Sequence, residues 1–258
     1  MLRLHPLKHS ILFRLPLSQA VGAPAGKVVA SSGGIEVGSV EMRTLVHPRG
    51  SGRATDLWLD DKLVEMGLRL IVNRYNAEDG KEGPGPRVAL LSSFFFTRLT
   101  QNLKGYDYEG VRRWTTRKGV SIDAVDVILV PIHSKDHWAL GVVYPRQHTI
   151  EAFDSLTPGG ALSRLFCNTM RRWLKDEIKA KGITALDPRR FRFVLPKNIP
   201  TQQNGFDCGM FVLIFAAQIA SGRTIAGGSL STARVQHLRS RFIVSLLGSY
   251  RTDHFIAL

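Results

Sequence analysis

Cysteine is nearly missing from this chain: Cys167 and Cys208 are the only two among 258 residues. With no pair of Cys-x-x-Cys motifs and no secretory signal, this excludes a disulfide framework and a zinc ribbon, and it points to a reducing compartment. Long apolar runs are also absent. None approaches the ~20 residues of a membrane span, so no membrane partner is expected. No internal repeat is visible. Acidic side chains are scarce, 21 against 35 Lys and Arg, for a formal charge of +14. Such a balance suits an acidic partner, nucleic acid or an acidic protein surface. The basic residues form no long tract and no aromatic-interleaved cluster, so the charge is read as a modifier of partner choice and not as proof of nucleic-acid binding. Residues 1–35 hold no acid at all, with Arg3, Lys8, Arg14 and Lys27 among leucines and serines. That composition permits a mitochondrial presequence, but a basic arm or first strand is the preferred reading. Ser31-Ser32-Gly33-Gly34 is read as a flexible joint, and the compact domain is expected over 36–258.

What is present can build one core: 44% of the residues are hydrophobic. Over 58–75, Val64, Leu68, Ile71 and Tyr75 form one helical stripe that Asp60 can cap. Glu78 to Pro86 reads as an exposed loop, and Phe94-Phe95-Phe96 as core. Asp126–Ile132, Trp138–Tyr144 and Thr149–Phe153 are short, β-branched and separated by turns, which predicts three antiparallel strands. An amphipathic helix over 159–181, a strand over 191–195, a helix from Asp207 and a last helix carrying Val235, Leu238, Phe242 and Leu246 follow. The order predicts an α+β fold.

The stretch from Pro200 to Phe215 turns from a polar, Gly-containing loop into a long apolar run with Cys208 at the junction. A thiol at the first turn of a helix sits beside unpaired backbone N–H groups and the positive end of the helix dipole, which favour the thiolate. Gly209 leaves room there for a substrate backbone. A buried structural cysteine is the competing reading, and a nucleophile needs a base and an orienter. His137 enters the second predicted strand and Asp154 ends the third. Adjacent antiparallel strands bring such positions to one edge of a sheet, where a carboxylate orients the imidazole. Either residue alone is an ordinary turn residue. Gln202, six residues before Cys208, offers an amide N–H to an oxyanion.

The segments His137-Trp138, Phe153-Asp154-Ser155 and Gln202-x-Asn204-Gly205-x-Asp207-Cys208-Gly209 resemble the ubiquitin-like-protein-specific cysteine proteases, the sentrin or SUMO protease family. Trp58-Leu59-Asp60-Asp61, Phe95-Phe96-Thr97-Arg98-Leu99, Arg113-Trp114-Thr115 and Val130-Pro131-Ile132-His133 extend the resemblance over about residues 36–250. Asp60 stands where the family usually has asparagine, and Gln202-Gln203 in tandem leaves two candidate amides, of which the family spacing selects Gln202.

The resemblance implies a papain-like cysteine protease fold with a mainly antiparallel sheet. It implies Cys208 as nucleophile, His137 as general base, Asp154 as its orienter and Gln202 as oxyanion donor. Trp58 and Trp138 would cover a tunnel for a Gly-Gly tail, and Asp61 would lie on the modifier-binding surface. The implied substrate is a ubiquitin-like modifier, SUMO first, cleaved by a monomer without metal or organic cofactor in the nucleus or cytoplasm of a eukaryotic cell, or in a host cell if the chain is an effector. The alternatives are a protease for another such modifier (the deneddylating type), an effector acyltransferase of the same fold, and a non-catalytic modifier-binding module.

Overall fold

The computed structural model describes residues 24, 27–32, 34–46, 57–77, 86–225, 227–228 and 230–247. Most of the arm expected over 1–35 and most of the loop expected over 78–86 lie outside the described residues. From residue 28 two short strands, β1 (Val28–Ser32) and β2 (Ile35–Gly38), pair antiparallel. Gly34, at φ 81°, lies in the turn between them, a backbone setting that suits glycine. Val29, Ala30 and Val37 are buried in the larger of two cores. The boundary drawn at 35/36 thus falls inside a hairpin. Helix α1 (Ser39–Leu45) follows directly.

Helix α2 (Asp61–Ala77) begins where its cap predicts: Asp60 Oδ1 accepts the N–H of Leu63 at 2.9 Å. Val64, Leu68 and Ile71 form its buried stripe, with Tyr75 partly buried beside them. Next come β3 (Val88–Leu90), α3 (Phe95–Leu99) and α4 (Trp114–Arg117). Phe95 and Phe96 enter the core, whereas Phe94 is exposed.

The three predicted strands form as β4 (Val127–Ser134), β5 (His137–Tyr144) and β6 (Thr149–Phe153), antiparallel to one another. A parallel strand is added at each edge: β3 beside β4, and β7 (Arg192–Val194) beside β6. The sheet is therefore antiparallel at its centre and parallel at its rims, and the fold is α+β. Alternation along these strands decides the layering. Leu129, Trp138, Leu140 and Val142 face one core, and Ile128, Val130, Ala139 and Val143 face the other.

On the second face lies α5 (Ala161–Lys181), which buries Phe166, Met170, Trp173, Leu174 and Ile178. The first face receives α6 (Cys208–Ala220), α2 and α7 (Thr232–Leu246). Helix α6 has 13 residues, no charge, and only Gln218 not fully buried. A helix apolar all round belongs inside, and this one is clamped between the sheet and α2.

Candidate active site

Cys208 is the first residue of α6 and is 3% exposed. The loop before it is built by one side chain. Asn204 Oδ1 accepts the N–H groups of Phe206 and Asp207 at 3.1 and 3.0 Å, and its Nδ2 donates to Asp207 Oδ2 at 2.8 Å. This is the local turn bonding that short amide side chains favour. Asp207 is buried, and its Oδ1 accepts from Nε of Arg239 at 2.9 Å. Arg239 also donates to the carbonyls of Thr44 and Phe206, at 3.0 and 3.1 Å. At 1% exposure it is a buried cation whose charge is matched by Asp207. The sequence pattern sets Arg239 merely around the apolar face of α7. The structure turns it inward, and its spacing of four from Val235 and three from Phe242, on the apolar stripe itself, is the signal that could have found it.

His137 opens β5 and Asp154 follows β6, and His137 Nε2 lies 2.9 Å from Asp154 Oδ1. The strand-edge argument brings these two together as expected. Asp154 is buried and accepts three further hydrogen bonds, from the N–H groups of Leu156 and Thr157 and from Thr157 Oγ1. Burial opposes its charge, but the bond from His137 and the backbone donors bring its pKa down to about 2. Burial likewise opposes charge on His137. Hydrogen bonds to Asp154 and to the Cys208 side chain outweigh it and raise the imidazole to about 9. His137 thus stands between thiol and carboxylate.

Gln202 is held at both ends of its amide. Its Oε1 accepts from Ser155 Oγ at 2.8 Å, and its Nε2 donates to the carbonyl of Asn204 at 2.7 Å. Its backbone N–H also donates to Ser155, at 3.0 Å. One Nε2 hydrogen is used in these bonds and the other is left for a ligand. Gln203 is exposed. Ser155, next to Asp154, ties the carboxylate loop to the glutamine loop; hydroxyls in turns carry no sequence signal for such a task.

Trp58 is partly exposed, and its indole N–H donates to the carbonyl of Gly205 at 2.9 Å. Trp138 is buried, donating to the carbonyl of Leu59 at 2.9 Å, with its ring 4.4 Å from that of His133. Trp58 thus ties the 58–59 segment to the loop before Cys208, and Trp138 ties it to β5. Gly209 also makes room within the chain itself: a Cβ there would stand 2.8 Å from Leu59 Cβ, so its bareness admits the 58–59 segment. Asp61, the first residue of α2, is partly exposed. Among the described residues no three His, Cys, Asp or Glu side chains gather as a metal site.

Residues 57–247 match the family model described as the Ulp1 protease family, C-terminal catalytic domain. The chain is 34% identical over 158 residues to putative ubiquitin-like-specific protease 1B of Arabidopsis thaliana, covering 60% of this chain and 45% of that protein. It is 31% identical over 212 residues to human sentrin-specific protease 2, covering 81% of this chain and 32% of the relative. It thus spans less than half the length of these curated relatives. Among solved structures, the C-terminal Ulp1 protease domain in complex with Smt3, the yeast ortholog of SUMO, superposes with a TM-score of 0.68 at 27% identity, over 96% of this chain and all of that one.

Proposed function

The chain belongs to the Ulp1 protease family, and on that premise we propose that it is a cysteine protease cleaving after the C-terminal Gly-Gly of a ubiquitin-like modifier, with SUMO as the substrate. The observation that carries this reading is the Asp154–His137 bond of 2.9 Å, formed where the His137 imidazole interacts with the side chain of Cys208, the first residue of α6. The complex of the yeast neighbour with Smt3 supports the choice of modifier.

The steps follow from the residues. With His137 holding the proton, the Cys208 sulfur attacks the carbonyl carbon of the last glycine, and the carbonyl pair moves onto oxygen. The Gln202 amide and the backbone N–H at Cys208 stabilise that oxyanion. As the tetrahedral intermediate collapses, His137 protonates the leaving amine, whether an α-amine (precursor maturation) or a lysine ε-amine (deconjugation). A thioester remains. His137, now neutral, takes a proton from water, whose oxygen attacks the thioester and releases the modifier's carboxylate. Asp154 keeps the imidazole in one orientation throughout.

The test is intact-mass analysis after mixing the chain with SUMO, ubiquitin and the neddylation modifier, each bearing a thiol-reactive C-terminal warhead. An adduct with SUMO alone, absent in Cys208→Ala, is expected. An adduct only with another modifier would replace the substrate, and no adduct with any would overturn the reading.

A further inference from the structure

Part of the positive excess lies along one face of one helix. Along α5, Arg164, Arg171, Arg172, Lys175 and Lys179 are all exposed. Their spacings of seven, one, three and four keep them on one side of the helix. At 1.5 Å per residue they span about 22 Å, the length of some six base pairs along a duplex strand. None of the five forms an ion pair among the described residues.

The acids of the same helix are occupied elsewhere. Asp176 accepts from the Tyr106 hydroxyl at 2.6 Å, and Glu177 is buried and accepts from the Tyr108 and Thr115 hydroxyls. Two of the cations are also held in place: the Arg171 guanidinium lies 3.9 Å from the centre of the Phe193 ring and that of Arg172 lies 3.8 Å from the Tyr106 ring. A guanidinium stacked this way has lost freedom already and keeps its N–H edge for an incoming oxyanion.

We propose that the outer face of α5 binds the phosphate backbone of nucleic acid, without reading its sequence. Charge complementarity favours this partner over an acidic protein. The centre of a protein interface is apolar and poor in charge, whereas this helix exposes a single large apolar side chain, Leu165. The sheet separates the stripe from α6 and Cys208, since α5 packs on one face and α6 on the other. A bound polyanion therefore leaves the thiol accessible.

The test is fluorescence anisotropy of the full chain with a labelled strand of about 20 nucleotides and the matching duplex, over a salt series. Four or five phosphate contacts predict a slope of log K against log salt of about −4 for the duplex, at about −0.9 per contact. Arg171→Gln/Arg172→Gln/Lys175→Gln/Lys179→Gln should weaken binding at least about tenfold at low salt and flatten the slope by about one per contact removed. The milder Lys175→Gln/Lys179→Gln, which spares both stacked arginines, should flatten it by about two. Adduct formation at Cys208 should be unchanged in both variants, so this assay and that of the protease reading fail independently. No binding by the wild-type chain would overturn the proposal, as would a four-fold variant with wild-type affinity and slope. Displacement by polyglutamate as effective as by nucleic acid would assign the surface to an acidic protein instead.

Discussion

Arg239 of the last helix and Asp207, the residue immediately before Cys208, form a buried ion pair, with Nε and a terminal guanidinium nitrogen 2.9 and 2.8 Å from one carboxylate oxygen. Because Arg239 also holds the carbonyls of Phe206 and Thr44, the loop that presents the thiol is fastened to two elements more than 30 residues away on either side.

Arg239→Met should therefore be costly, about 3–5 kcal/mol, since it leaves the Asp207 charge buried and unmatched. Asp207→Asn/Arg239→Met should cost less than the sum of the two single changes, because neither stranded charge remains. Urea denaturation of the four proteins measures the coupling. Additive effects would mean that the pair does not act as a unit.

Cys208→Ala should abolish turnover while modifier binding persists at close to the wild-type constant. Isothermal titration with the modifier checks this, and binding lost together with turnover would make the cysteine a packing residue.

The pH dependence follows from two opposite shifts. His137 is raised from 6.5 to about 9, so its contribution to stability is complete below pH 6.5 and is lost as pH rises through 9. Asp154 is lowered from 3.8 to about 2, so its contribution is complete above pH 3.8 and is lost as pH falls through 2. The alkaline limb of kcat/KM, where the leaving amine loses its proton donor, is expected near pH 9. Asp154→Asn should move that limb downward by about one unit or more. A limb that stays in place would show that Asp154 does not set the state of His137.

Gln202→Ala should lower kcat by about a hundredfold or more, as loss of an oxyanion donor does, and Gln203→Ala should change little. Steady-state rates on a modifier fusion compare them. The reverse ranking would transfer the oxyanion role to Gln203.

Gly209→Ala brings a methyl group to 2.8 Å from Leu59 Cβ, with an expected cost of about 1–3 kcal/mol. Because Leu59 adjoins Trp58, warhead capture should slow as well. Unfolding and capture rates that both match wild type would show that the 58–59 segment yields freely.

The parts legible in sequence were those governed by short-range periodicity. The three central strands, the stripe of α2, its Asp60 cap and the junction at Cys208 all follow from local patterns. The meeting of His137 with Asp154 followed from hairpin geometry. Less was legible where a segment's role is decided by a distant neighbour. β3 has three residues and no alternation to show, and only β4 makes it a strand. The β1–β2 hairpin resembles a loop because Ser31, Ser32 and Gly34 dominate its turn, yet Val29 and Val37 anchor it in the core. Arg239 has the same residue type as the half-buried Arg234; it falls four residues after Val235 and three before Phe242, on the apolar stripe, and Asp207 is the partner that lets a cation stay there. The close approach of Leu59 to Gly209 is likewise set by a residue far away in sequence.

Helix α6, which carries the thiol, has little contact with water: twelve of its 13 residues are buried. From Phe211 onward, where the amides are bonded to carbonyls one turn back, its amide hydrogens should exchange with deuterium only through opening of the whole domain. The helix that carries the nucleophile then opens only with the fold, and on heating, the loss of catalytic capacity and the loss of the fold should occur as one event.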